Sequence, residues 1–352
     1  MQYEQDGYAN KKDLALSDIV VIPKRRLIVI HNSIQQKVEK SGGKALIVSN
    51  IVKDDIHDTK SKPRVEESTS ICASDLKSVN HNNQEGCVPQ PEMEEVVHED
   101  GFKSVEEAEK KLQCSGNEEQ KELCVLEKLK KRKYIVRYFK TPTPSFSSNY
   151  WLNNTEIDTV QYQLSCVFSG YYYSNIHMID FGMFNPDTQD VMPHVFDIKE
   201  INFVEELQHP NKLTYNGKLK SFGVVVNTDV SSGRGIHWFS IFMDFSSSPF
   251  TLEYFNSSGY DIRNATFKRW ILDLADDISK KVKPCKYIRA TQIQHQLPTT
   301  SNCGAYSLFY IWSRLNGTPY EWFAKNKVSD DQMTLFRKYI FRSDSKSDSK
   351  SD

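Results

Sequence analysis

The chain has 352 residues, longer than one ordinary domain, but only 38% of them are hydrophobic, which is thin for a core that fills the whole length. Lys and Arg number 45 against 46 Asp and Glu, so the formal net charge of −1 provides no field that would draw the whole chain to nucleic acid or an anionic membrane. The first residues, MQYEQDGYANKKD, lack the apolar stretch of a signal peptide, and no run approaches the ~20 apolar residues that span a bilayer; a soluble, intracellular protein without a membrane span is expected.

In chain order, DIVVIPKRRLIVIH (18–31) has the composition of one or two short strands. Residues 53–101 are rich in Asp, Ser, Asn, Lys and Glu, and a segment with so few large apolar side chains should not offset its ordering entropy. A helical segment is expected near 105–133, with Leu112, Leu123, Leu126 and Leu129 loosely on one face; its end, EKLKKRK, reads as a solvated helix terminus. TPTPS (141–145) reads as a linker, because its prolines exclude helix. Residues 1–145 are therefore expected to form a partly disordered N-terminal extension, 146–342 one packed domain, and SDSKSDSKSD (343–352) a disordered tail.

Within 146–342, NYWLNNTEIDTVQYQL (149–164) starts a capped helix with Ile157, Val160 and Leu164 on one face. IHWFSIFMDF (236–245), SSSP and FTLEYFN (250–256) read as a hairpin. A turn centred between Ser247 and Ser248 sets His237 opposite position 258, with Asn256 two places away on the same face. NATFKRWILDLADDISKKV (264–282) carries a core stripe of Phe267, Trp270, Ile271, Leu274 and Ile278, and CKYIRATQI has the pattern of a further strand. After Cys303, Leu308, Ile311, Trp312 and Leu315 recur at helical spacing until Gly317 and Pro319.

Seven cysteines, with no Cys-x-x-Cys pair and no Cys/His cluster, argue against both a disulfide framework and a structural metal, and no cofactor is expected. Cys303 is different in placement: at a helix N-terminus, free backbone N–H groups and the positive end of the helix dipole favour a thiolate. Most free cysteines are small buried hydrophobes, so a nucleophile needs partners. His237 is available as a base, Asn256 as the group that orients it, and Gln296, seven residues before Cys303, as an oxyanion donor beside the Cys303 N–H. Gln294 is the alternative donor.

The order His237-Trp238, Asn256, Gln296, Cys303-Gly304 resembles the Ulp1/adenain-like cysteine proteases, and NTDVSSGRGIHW, EYFNSSG, NCGAYSLFYI and FRKYIF resemble the polyprotein-processing branch found in asfarviruses and other giant DNA viruses. The resemblance covers roughly residues 146–342. It implies the adenain/Ulp1-like fold, an α+β domain with a central mixed sheet flanked by helices, and a thiol endopeptidase that cleaves viral structural polyproteins after Gly-Gly during virion maturation, located in the virion and, during assembly, in the host cytoplasm. It further implies His237 as base, Asn256 as orienter, Gln296 as oxyanion donor and Cys303 as nucleophile. Trp151 and Trp238 would form a slot too narrow for any Cβ, which selects glycine. The partner expected is a viral polyprotein with Gly-Gly-X sites; nothing in the sequence indicates a nucleic-acid or peptide activator. The alternatives are an isopeptidase acting on SUMO or ubiquitin and, further off, an acyltransferase of related fold.

Overall fold

The computed structural model describes residues 70–77, 86–180, 203–208 and 218–343; the strands expected at 18–31, the first part of the polar 53–101 stretch and the tail beyond Ser343 lie outside these. The main sheet has the order β2 (Tyr171–Tyr173), β4 (Ser221–Asn227), β5 (Trp238–Asp244), β6 (Phe250–Phe255) and β7 (Cys285–Arg289), with the short β3 (His177–Met178) also paired to β4. The β2, β3 and β7 pairings are parallel, whereas β4–β5 and β5–β6 are antiparallel, so the sheet is mixed as expected.

Both faces of this sheet are covered, which is why β4 and β6 are buried at every residue, the polar Asn227 and Glu253 included. Side chains alternate between two cores. Phe222, Val224, Val226, Phe239, Ile241, Leu252 and Tyr254 face α7 (Ala265–Lys281), whose Phe267, Ile271 and Ile278 are buried while Trp270 and Leu274 are partly buried. Val225, Trp238, Phe242 and Phe255 face α8 (Cys303–Leu315). Around α8 stand α5 (Asn154–Val167), α9 (Tyr320–Lys325) and α10 (Asp330–Ile340). The α5 start follows from its sequence: Asn153 and Glu156 form a reciprocal capping box.

A buried ion pair locks α8 to the sheet. Glu253, on the α8 face of β6, takes Arg314 Nε at 2.7 Å and Nη2 at 2.9 Å, and accepts from Tyr310 Oη at 2.6 Å. Asp244 also meets Arg314 Nη2, at 3.2 Å.

The N-terminal region departs from expectation in three ways. First, the polar segment is partly folded: Met93, Val96 and Val97 of α1 (Gln90–Glu99) pack with Ala108 of α2 (Val105–Lys111), Val125 and Leu126 of α3 (Glu118–Lys128) and Tyr134 of α4 (Arg132–Tyr138). Few apolar residues suffice because disulfides Cys72–Cys87 and Cys114–Cys124 tie the layer, contrary to the expectation of no disulfide framework. Cysteine spacing alone does not expose pairings that depend on helix packing. The expected single helix near 105–133 is three short ones, turned at Gln113 and Lys130, which both adopt positive φ. Second, Thr141–Thr143 is not linker but β1, paired in parallel with β8 (Phe341–Ser343), where Pro142 lies on the exposed side of a two-stranded edge. Third, the short turn Ala73–Leu76 penetrates the α8 core: Leu76 is fully buried and its carbonyl accepts from Trp312 Nε1 at 2.7 Å. The basic run ends in local contacts, Lys131 pairing with Glu99 and Asp100. Among the described residues no helix is long and apolar enough to cross a membrane.

Candidate active site

The first residue of α8 is Cys303, whose side chain is 1% exposed. Its neighbour Gly304 is required by close approach: a Cβ there would meet Leu152 Cβ at 3.2 Å and Trp238 Cδ1 at 3.3 Å. The glycine thus lets the mouth of the helix sit against β5. Burial pushes the Cys303 thiol up to about 11, while the N–H groups of Trp238, Gly304 and Cys303 and the charge of Arg337 act in the opposite direction.

His237 immediately precedes β5. The hairpin register pairs Ser240 with Phe255 and Asp244 with Thr251, so it continues to place position 258 opposite His237, as the turn length predicts. His237 Nε2 lies 2.8 Å from Asn256 Oδ1 and 3.2 Å from Ser258 Oγ. The Ser258 N–H donates to Asn256 Oδ1 at 2.9 Å, and Asn256 Nδ2 donates to the Tyr254 hydroxyl at 2.9 Å, which together fix the orientation of the amide. An oxygen at that position requires the proton of the imidazole to be on Nε2, leaving Nδ1 as the bare nitrogen. Burial lowers the pKa of His237, with the Asn256 bond opposing it, so the ring is neutral at neutral pH.

Gln296 is buried in the loop between β7 and α8. Its Oε1 accepts from Ser257 Oγ at 2.8 Å and its Nε2 donates to Thr300 O at 2.7 Å, which leaves one amide hydrogen uncommitted. Gln294 donates from Nε2 to Gln296 O at 3.2 Å. The two glutamines are thereby distinguished: one is braced from Ser257, just after β6, and from the loop leading to Cys303, and the other braces its backbone.

Trp151 and Trp238 line one cavity of about 580 Å³, together with Asn175, His177, Asn227 and Arg234. Trp151 is 39% exposed and Trp238 3%, its Nε1 without a partner. A second, more apolar cavity of about 620 Å³ lies across the 228–236 loop, with His237 and Asn256 on one wall and Val230, Ile236 and Tyr260 on the others.

Sequence reasoning missed the support beneath this site. Asn302 does not cap α8 with its side chain; it donates to Asp330 Oδ1 at 2.8 Å and accepts from Arg337 Nε at 2.9 Å. Asp330 also accepts from Leu297 N and Thr300 Oγ1, each at 2.8 Å, and so holds the loop that carries Gln296. No local signal identifies Asp330, which opens α10 behind the Ser329 cap like any first-turn acid. A bare Nδ1 on an oriented imidazole, a cysteine at a helix mouth and a braced carboxamide are the parts that acyl transfer through a thioester needs.

No protein-family model matches the chain. A SUMO-1 cysteine protease of African swine fever virus, isolate Pig/Kenya/KEN-50/1950, is 31% identical over 210 residues, 60% of this chain and 74% of the relative. A cysteine protease of the same virus, isolate Tick/Malawi/Lil 20-1/1983, matches with the same identity and coverage. The crystal structure of an African swine fever virus protease superposes with a TM-score of 0.56 at 24% identity, covering 80% of this chain and 98% of that one.

Proposed function

The chain belongs to the family of these African swine fever virus cysteine proteases and is a cysteine peptidase, from which we propose that Cys303, His237, Asn256 and Gln296 form its catalytic set and that it cleaves viral polyproteins after Gly-Gly. The observation that carries this reading is the Nε2 bond to Asn256, because it frees His237 Nδ1 to act as base. His237 Nδ1 takes the proton of Cys303 as sulfur attacks the scissile carbonyl carbon. Since burial holds the thiol high and the imidazole low, the resting pair is neutral, and the proton moves when substrate arrives. The Cys303 N–H and the uncommitted hydrogen of Gln296 Nε2 bind the resulting oxyanion. Collapse breaks the C–N bond, the imidazolium protonates the leaving amine, and a thioester remains. Water, deprotonated by the same imidazole, then releases the carboxylate and regenerates the thiol.

Trp151 and Trp238 share the wall of the more polar of the two cavities, which supports a slot between the indoles that favours Gly-Gly before the scissile bond by excluding any Cβ. The setting that fits such a substrate is particle assembly in the host cytoplasm and maturation inside the virion. A second reading, cleavage after the Gly-Gly of a ubiquitin-like protein, is favoured by the name of one relative, a SUMO-1 cysteine protease. Incubating the protein and its Cys303→Ala variant with a viral core polyprotein, a Gly-Gly-X peptide and a SUMO fusion, and mapping new termini by mass spectrometry, tests both. Cut sites after Gly-Gly in the polyprotein, absent with the variant, are expected; faster cleavage of the SUMO fusion than of the other two would replace the first reading with the second.

A further inference from the structure

Arg337, in the last turn of α10, is fully buried, an unusual position for a guanidinium unless it is paired. Its bonds converge on the approach to the nucleophile. Nε donates to Asn302 Oδ1 at 2.9 Å, and Nη2 donates to Tyr150 O at 2.7 Å and to Ser301 O at 3.4 Å. It therefore touches the two residues before Cys303 and the residue before Trp151, joining the wall of the cleft to the mouth of α8. Nη1 is buried and makes no hydrogen bond.

We propose that Arg337 is a positioning residue for the nucleophile: its buried guanidinium clamps Ser301 and Asn302 to the Tyr150 carbonyl and holds a fixed positive charge beside the Cys303 sulfur. The inference rests on the reading of Cys303 as nucleophile. The surrounding charges fit it. From α5, Glu156 faces Arg337, but this carboxylate also takes Thr143 Oγ1, Tyr150 Oη and its own Asn153 cap; from the start of α10, Asp330 is engaged by Asn302, Thr300 and Leu297. From β5, the backbone N–H of Trp238 favours the Cys303 thiolate, and burial disfavours the charged form of His237. Burial draws Arg337 down to about 10, so it remains a cation throughout the neutral range. The imidazole cannot stabilise a thiolate by charge until it has taken the proton; a permanent cation can do so throughout the reaction.

The test measures the rate at which iodoacetamide alkylates Cys303 at fixed pH across the neutral range, with the labelled peptide identified by mass so that the free thiols of Cys166 and Cys285 do not enter. Three proteins are compared: the unaltered chain, Arg337→Gln and Arg337→Lys, each checked by near-UV circular dichroism. Removing the charge that favours the thiolate should slow alkylation of Arg337→Gln by roughly tenfold at every pH in that range, the equivalent of about one unit in the thiol. Arg337→Lys should keep the alkylation rate and lose turnover by roughly tenfold to a hundredfold, because a point charge replaces the charge but not the fork. An unchanged alkylation rate in folded Arg337→Gln would overturn the proposal. Should that variant not fold, Arg337→Lys decides: a preserved alkylation rate with reduced turnover supports the proposal, whereas alkylation slowed by about tenfold or turnover at the unaltered level refutes it. Cleavage surviving in Cys303→Ala would instead remove the underlying reading, an outcome that none of the Arg337 measurements mimics.

Discussion

Replacing Glu253 by Gln should cost this protein far more stability than the loss of one charge at its surface. Glu253 is fully buried and its carboxylate holds Arg314 through two bonds of 2.7 and 2.9 Å, while Tyr310 donates to it at 2.6 Å. Gln preserves size and one acceptor but leaves the guanidinium, whose side chain is 9% exposed, with Asp244 at 3.2 Å as its remaining counter-ion. Breaking a buried pair by removing one partner costs about 3–5 kcal/mol, because the survivor's desolvation is no longer offset. Asp244 is itself 20% exposed and keeps part of the attraction, which places the expected loss near ~3 kcal/mol. For a domain of this size that corresponds to a fall in Tm of roughly 6–12 °C. Urea unfolding followed by tryptophan fluorescence measures it, with Arg314→Met as the reciprocal variant and Glu253→Gln with Arg314→Met as the double. The double should lose less than either single variant, since no charge is stranded. A loss below about 1 kcal/mol for Glu253→Gln, or a double variant as unstable as the sum of its parts, would refute the reasoning.

Gln296→Ala should lower kcat by roughly a hundredfold to a thousandfold with KM little changed, while Gln294→Ala should remain close to the unaltered enzyme in peptide turnover. His237→Ala should abolish most cleavage and Asn256→Ala less of it, because a neutral amide fixes the tautomer without supplying charge; initial rates on one Gly-Gly-X peptide compare the two. Glu122, buried in the N-terminal layer, accepts from the N–H groups of Cys87 and Val88, and burial raises its carboxyl to about 7. The folded state then binds a proton more tightly than the unfolded one, so stability is fully present below the ordinary carboxyl range and declines as pH rises through about 7. Thermal melts at acidic and mildly alkaline pH should show this decline in the unaltered chain and lose it in Glu122→Gln.

What the sequence made legible was local or followed from counting. The start of α8 at Cys303 came from helical spacing, and the hairpin register came from its loop length, which is enough to bring Asn256 to His237 because side-chain parity is fixed once the turn is placed. The tertiary support was not legible. Arg337 lies far along the chain from Cys303, and no periodicity marks a helix residue that turns inward to serve a loop. Asp330 looks like an ordinary first-turn acid. The N-terminal layer was underestimated for a related reason: composition counts apolar residues but not the cross-links that let few of them suffice, and Leu76 gains its burial from a core built by Trp312 and α10 far along the chain. TPTPS misled because proline excludes helix without excluding an edge strand.

The pairing of β1 with β8 also gives the protein a mechanical character. The two strands run parallel, Thr141 beside Phe341 and Thr143 beside Ser343, so a pull applied to the N-terminal layer and to the chain beyond Ser343 draws them along their own axes in opposite directions. Such a load falls on the rungs of the ladder together rather than opening them one at a time, and the Arg342 Nε bond to Lys140 O shares it. Traction on α4 and on the chain beyond Ser343 is therefore borne at this short clasp, whereas traction on Ala73–Leu76 passes straight to α8 through the Trp312 bond.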